Sequence, residues 1–463
     1  MKESLSRRNF IAKSTSAAAG GQAALGAMLN LNLMGRLAAD EVSDDGDYKA
    51  LVCVFLQGGN DSFNMLVPRG ESEYAEYADA RGDLALPRTD LLSLSGSSQQ
   101  GRELGLHPNL LRLRDSYTAG ELAFVANMGI LQRPISREDY DTNASLLPKG
   151  LFSHSDQQRQ WQTGMADRTS KTGWLGRVSD LVRSTSEINH YASAISVNGV
   201  NQLQTTSESI PYVIGPNGSQ GLFEWNEARW RHGREAVSRQ FDLAYENKLQ
   251  ETFLNRKRRA VELNESFSSA LEQADVSRPD FGANGLSSQL EMVYEVIQAR
   301  SALGLKRQTF FVMSGGWDLH SELLNPHVKL LSELDTALAN FQGALNDAGL
   351  SESVTTFTAS DFGRSLSSNG LGSDHGWGGN QLVLGGAVNG QQIYGDYPDL
   401  YPDNPLDVGR GRILPTTSVD QYFAELACWF GISRAELPLV LPQLDRFYDL
   451  TSVEQPLGFM RFS

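Results

Sequence analysis

The sequence predicts an α/β protein: a three-layer sandwich whose mostly parallel central sheet carries helices on both faces, with a largely helical insertion at about 165–300. Three observations lead there. Short continuous apolar runs recur along the chain, each too short for a helix and too evenly apolar for a sheet with one wet face. Between two of them lies a long segment with apolar residues at three- and four-residue steps, as a crossover helix requires. Acidic residues, histidines and glycines gather just beyond the ends of the runs, where open α/β sheets bind their ligands.

The first run, Ala50 to Leu56, reads ALVCVFL and is followed at once by the turn-forming QGGND, which predicts a buried parallel strand. Leu122–Ala126, Thr309–Met313, Val354–Thr358 and Gln381–Leu384 repeat the pattern and are expected in the same sheet. From His327 to Ala348, Val328, Leu331, Leu334, Leu338, Phe341 and Leu345 share one helical face, and Gly349 supplies a terminator. A helix between two strands of one sheet makes a right-handed parallel unit. Ser418 to Phe430 reads as a capped closing helix. The middle of the chain differs, with charged helical stretches such as FEWNEARWRHGREAV and ENKLQETFLNRKRRAVEL, and its run Arg256-Lys257-Arg258-Arg259 reads as a solvated helix face.

A hydrophobic content of 40% with 21% charged residues fits a soluble globular chain and excludes a multispan membrane protein. Lys and Arg total 40 against 55 Asp and Glu, and the net charge of −15 disfavours nucleic acid and anionic lipid as partners. Ser6-Arg7-Arg8-Asn9-Phe10-Ile11-Ala12-Lys13 resembles the twin-arginine export signal. The uncharged stretch Ser14–Gly35 that follows is interrupted by Gly20, Gln22, Asn30 and Asn32, so it reads as an export signal rather than a stable transmembrane span. Residues 1–39 are therefore expected to be a signal segment and 40–463 a single α/β domain. The twin-arginine machinery is one expected partner, and the destination is periplasmic or extracellular, reached in the folded state. Folded export raises the expectation of an ion loaded beforehand. Two cysteines are too few for a thiolate metal site or a disulfide scaffold.

Asp61 follows the first run, Asp318 and His320 the third, and Asp361 the fourth, while His375 precedes the fifth. Together they form a mixed oxygen and nitrogen ligand set suited to a divalent metal, zinc or manganese, as one or two ions. Such an ion polarises an ester oxygen and generates a nucleophile near neutral pH, so hydrolysis is its natural use. Ser153, in LFSHSDQQRQWQTG, stands at the expected start of a helix, either as nucleophile or as an ordinary cap. His154 and Arg364 are the candidates to stabilise developing charge. The glycines of SDFGRSLSSNGLGSDHGWGG are expected to let one loop bring carboxylate and imidazole to a shared cation.

The segments VFLQGGNDSFNMLVP, FSHSDQQRQWQTG, GGWDLH, SDFGRSLSSNGLGSDHGWGGNQLVLGG and GRILPTTSVDQYFAELACWFG, in this order from about Lys49 to Phe447, resemble the exported DUF1501 family, grouped with the alkaline phosphatase and sulfatase superfamily. The resemblance implies an alkaline-phosphatase-like fold and a metal-dependent, sulfatase-like hydrolase of phosphate or sulfate esters on small molecules or glycans. It sets Asp61 in the place of the first-strand metal aspartate, Ser153 near the nucleophile's place, and Asp318 with His320 or His327 on one ion. Phe362 stands beside Asp361 where the superfamily places a histidine. Taking Asp374-His375 as the pair instead leaves the final histidine missing. The alternative is accordingly a noncatalytic metal- or glycan-binding envelope protein on the same fold.

Overall fold

The computed structural model describes residues 48–95, 101–182, 190–219, 231–243, 245–274 and 279–462, so the export-signal reading lies outside the described residues. The strands are β1 (Lys49–Leu56), β2 (Leu66–Pro68), β3 (Leu92–Ser93), β4 (Leu104–Leu106), β5 (Leu122–Gly129), β6 (Ala194–Ser196), β7 (Tyr212–Val213), β8 (Arg307–Ser314), β9 (Val354–Ser360), β10 (Arg364–Ser368), β11 (Ser373–His375), β12 (Gly379–Leu384), β13 (Ile393–Tyr394) and β14 (Thr417–Ser418). The main sheet runs β13-β5-β12-β9-β1-β8-β6-β7, with β14 also on β5. All five expected strands lie in it.

The sheet is parallel except at β12, which pairs antiparallel with both β5 and β9. The physical reason is the connection. Between β9 and β12 the chain builds the β10–β11 hairpin rather than a helix, and a parallel return would need a crossover. Within the segment expected to be a largely helical insertion, β6 and β7 extend the sheet beyond β8. The helices Arg231–Phe241 and Lys248–Gln273 of the same region are as charged as the sequence predicts.

Side chains of β1 alternate between two cores, which is why the run is apolar throughout. Ala50, Val52, Val54 and Leu56 face the helices Gly285–Gln298 and Leu324–Asp347, through residues such as Leu290, Val293, Leu331, Leu338 and Phe341. Leu51, Cys53 and Phe55 face the helices Trp174–Val182 and Val419–Phe430, where Trp174 stacks on Phe423 with ring centres 4.3 Å apart. Each large apolar side chain fully buried this way contributes about 1.5–3 kcal/mol. The closing helix starts at a capping box between Ser418 and Gln421 and stops before Gly431. Cys53 and Cys428 are free thiols.

Asp420, in the first turn of that helix, is 2% exposed, and its Oδ1 has no hydrogen-bond partner. Burial pushes its carboxyl up to about 7, against weaker opposing contributions from the Ser418 hydroxyl, its own amide, Arg177 and Arg446. A carboxyl raised in the folded state holds a proton that the unfolded chain releases, so its contribution to stability falls as pH rises from about 4 to about 7. The span corresponds to about 4 kcal/mol at most. Asp420→Asn removes the titration, and its melting temperature should gain on the parent between pH 5 and pH 8, as read by thermal unfolding in parallel buffers. Parallel curves for the two proteins would contradict the assignment.

Candidate functional site

The register of β1 sets the site. Leu56 aligns with Ser314 of β8 and with Ser360 of β9, so the residues that follow all three strands emerge at one edge of the sheet. The first connection turns through Gly58 and Gly59 at φ +120° and +89°, a region L side chains rarely adopt. A Cβ on Gly58 would overlap the Asp318 backbone nitrogen. The glycine therefore lets the β1 and β8 loops touch backbone to backbone.

Asp361 is fully buried, and both of its oxygens are occupied. The Gly58 N–H donates to Oδ1 at 3.1 Å, while Gln158 Nε2 donates to Oδ2 at 2.8 Å. His154 Nδ1 lies 2.5 Å from the same Oδ2. Donors converge on this carboxylate, so the His154 ring turns an Nδ1–H toward it. His154 Nε2 is buried without a hydrogen-bond partner, 3.4 Å from Asp318 Oδ2. His375 is fixed by the same logic. Its Nδ1 lies 2.8 Å from the Phe152 carbonyl, which can only accept, so Nδ1 carries the proton and Nε2 does not.

His375 Nε2 then points at Asp318 Oδ1, 3.2 Å away, and at His320 Nε2, 2.9 Å away. His320 Nε2 is 3.0 Å from Asp318 Oδ1, and its Nδ1 faces Asp374 Oδ1 at 3.4 Å. His154, Asp318 and His375 each offer one ligand atom, all within 4.8 Å of one another. Burial lowers the His375 pKa, with His154 and Arg364 adding to it against the Phe152 hydrogen bond, and favours the neutral ring. Burial alone would raise the Asp318 carboxyl. The Arg364 hydrogen bond and charge, with His320 and His154, bring it below its ordinary value instead. Imidazole nitrogens and a carboxylate thus converge at one point, a donor set that suits a cation.

Of the expected residues, the structure brings Asp318, His320, His375 and His154 together. Asp361 stands one step behind them, holding His154. Asp61 is not brought to this cluster. Its carboxylate is buried in an ion pair with Arg81, whose Nη1 also donates to the Ser365 and Leu366 carbonyls at 3.0 and 3.2 Å. His327 is likewise a core residue, 1% exposed and 3.1 Å from Asn60 Oδ1. Arg364 is fully buried and spends its donors on Asp318, Gly58 O and Ser373 rather than facing an open cleft. Ser153 precedes the helix His154–Thr163 but makes no side-chain cap, and its hydroxyl donates to Asp156 Oδ2 at 2.8 Å.

Three contributors escaped the sequence reading. Gln158 stands four residues after His154 on the same helix face, a spacing visible in HSDQQ. Phe152 holds the left-handed φ of +70°, which turns its carbonyl toward His375. Arg412 lies over the Phe152 ring at 4.5 Å and donates from Nε to the His375 carbonyl at 3.1 Å. Neither of the last two carries a sequence signal.

The family model described as "Protein of unknown function (DUF1501)" matches residues 48–409. No curated protein matches this chain. Among solved structures, it is similar to the PsFucS1 sulfatase from Pseudoalteromonas sp., at 10% identity and a TM-score of 0.30, over 81% of this chain and 68% of that one. It is also similar to a His 135 Asp mutant of TAB5 alkaline phosphatase with Mg bound in its M3 site, at 10% identity and a TM-score of 0.26, over 77% of this chain and 96% of that one. Overlays this loose leave the functional reading to the residues themselves.

Gly58→Ala should cost more than Gly120→Ala. Both have positive φ, worth about 1–3 kcal/mol of strain in a residue with a Cβ, but only Gly58 also meets neighbouring backbone. Denaturant unfolding of both variants is the measurement, and equal losses would show that the Gly58–Asp318 approach is not tight.

Proposed function

This chain belongs to the DUF1501 family, a family of unknown function, and on that premise we propose that it is an exported, metal-dependent hydrolase of phosphate or sulfate esters. The observation that carries the reading is the convergence of ligand atoms from His154, Asp318 and His375, all within 4.8 Å of one another, with His320 Nε2 beside them, 2.9 Å from His375 Nε2 and 3.0 Å from Asp318 Oδ1. These four residues would hold one divalent ion, and nitrogen with carboxylate oxygen fits zinc or manganese. Such an ion, when bound, supplies a Lewis acid for an ester oxygen.

The chain's own residues do the rest. Asp361, itself held by the Gly58 N–H and Gln158, fixes the His154 ring, and the Phe152 carbonyl does the same for His375. Arg364 holds Asp318 charged and in place. Ser153 is the proposed nucleophile, set between the two residues whose groups reach the cluster. Its hydroxyl proton passes to Asp156 Oδ2 as Oγ attacks phosphorus or sulfur; the bond from that atom to the alcohol oxygen breaks, and the proton returns to the departing oxygen, which leaves as the alcohol. Water then hydrolyses the seryl ester and restores the serine. Arg410, 72% exposed and 3.7 Å from Asp374, is the exposed cation proposed to meet the ester's charge.

A second reading, a noncatalytic metal-binding protein, is favoured by one observation: Arg364, the buried arginine at the cluster, is committed to protein acceptors. Metal analysis and turnover separate the two. Purified protein should carry about one zinc or manganese per chain, and Asp318→Asn should lose it. Aryl phosphate or aryl sulfate hydrolysis should fall about a hundredfold in Ser153→Ala with the metal retained. Full metal without turnover on either ester supports the binding protein, and turnover undiminished in Asp318→Asn would end the hydrolase proposal.

A further inference from the structure

The basic run Arg256-Lys257-Arg258-Arg259 lies on the helix Lys248–Gln273, and the fold sorts its four cations into two pairs. Lys257 Nζ lies 5.7 Å from the Phe253 ring centre. Arg258 reaches Asp242 at 3.2 Å and lies 5.9 Å from the Phe241 ring. These two are spent locally. Arg256 and Arg259, three residues apart and so on one helix face, instead line a cavity of about 950 Å³ together with Lys171. Among the described residues Arg256 and Lys171 make no ion pair, and Arg259 has only Glu262 of its own helix at 3.7 Å.

The cavity lies at the β7 edge of the sheet and shares no lining residue with the His–Asp cluster. The same lining carries two carboxylates, Asp180, whose Oδ2 accepts from the Ser207 N–H at 3.0 Å, and Glu208, and the Tyr191 and Tyr212 rings, which meet edge to face with centres 5.5 Å apart. In a chain of net charge −15, three cations drawn to one concavity favour an anion. The carboxylates disfavour a ligand that is anionic throughout, such as nucleic acid. They suit neutral hydroxyls, to which they are strong acceptors. Aromatic faces suit the apolar faces of sugar rings, and the volume admits more than one ring.

We propose that this cavity binds an anionic saccharide, with Lys171, Arg256 and Arg259 on its sulfate, phosphate or carboxylate groups and Asp180 and Glu208 on its hydroxyls. The proposal does not rest on the hydrolase reading. The probe is a sulfated heparin-type tetrasaccharide, followed by titration calorimetry against the same oligosaccharide stripped of its sulfates. Binding should weaken about tenfold in the Arg256→Ser, Arg259→Ser double variant, and by less than about twofold in Lys257→Ser, Arg258→Ser, which removes the same number of charges from the spent pair. The exposed Arg256→Ser alone, which leaves every described contact of the fold in place, should already weaken binding about threefold. Asp318→Asn should leave it unchanged. Equal losses in the two multiple variants would reduce the effect to bulk charge and overturn the proposal. So would equal binding of the desulfated sugar, loss in Asp318→Asn, or no binding at all.

Discussion

The in-register pairing of β1 with β8 on one side and β9 on the other is the constraint from which the site follows. Parallel neighbours in register end together, and here Leu56, Ser314 and Ser360 end at one level. The three loops beyond them have nowhere to go but past one another. Gly58 lets two of them touch, and its N–H is then free to bind Asp361 from the third. The strand pairing is held by burial on both faces of β1, which leaves no register in which polar groups could be hidden more cheaply. A core argument thus becomes a site argument: the apolar alternation that fixes the sheet also fixes where Asp318 and Asp361 stand.

Buried polar groups then do the fine positioning. Arg81 and Arg364 are both fully buried, each is paired with an aspartate, and each also donates to backbone carbonyls of the β10–β11 hairpin. Removing a charge from water costs several kcal/mol, and the paired aspartate with the backbone acceptors offsets it, although Arg81 Nε and Asp61 Oδ1 stay without a hydrogen-bond partner. Two such anchors hold the hairpin that carries Asp374 and His375. Deleting one partner of the Arg81–Asp61 pair, in which both charges are buried, costs about 3–5 kcal/mol because a lone charge stays behind. Asp61, which its position after a strand recommended as a ligand, serves here instead as the counterion that lets Arg81 be buried.

The sheet was largely legible. Five apolar runs became five strands of one sheet, and the crossover helix appeared with its apolar face inward, beginning at Leu324 rather than His327. The antiparallel β12 was not legible, because an apolar run carries no direction. Nor were β6 and β7, which are too short to show a pattern. In the site, residue type and strand-end position picked out Asp318, His320, Asp361 and His375, but could not order them into those that face the centre and those that stand behind. That ordering depends on which oxygen meets which donor. The glycines of the SDFGRSLSSNGLGSDHGWGG loop also have a different use from the one their number implies. A Cβ on Gly363 would overlap the Gly378 carbonyl, and one on Gly376 the Arg364 backbone, so they pack chain against chain rather than chain against ligand.

Phe152 shows how far the site's geometry depends on a residue whose type says nothing. Its left-handed φ costs about 1–3 kcal/mol relative to an ordinary conformation, and something must hold it there. The ring is pinned under the Arg412 guanidinium, and Arg412 itself is tied to the His375 carbonyl, so a closed loop of contacts joins Phe152 to His375 through both side chain and backbone. Relaxing the backbone at Phe152 would swing its carbonyl away and free the His375 proton to move between nitrogens. It would also turn Ser153 and His154, the next two residues. One strained position therefore sets the tautomer of one imidazole, the direction of a second and the placement of the serine hydroxyl. A rigid site of this kind holds its ligand atoms ready before any ion arrives, and the strain is sustained by the two buried arginine anchors and the β1 register beneath it.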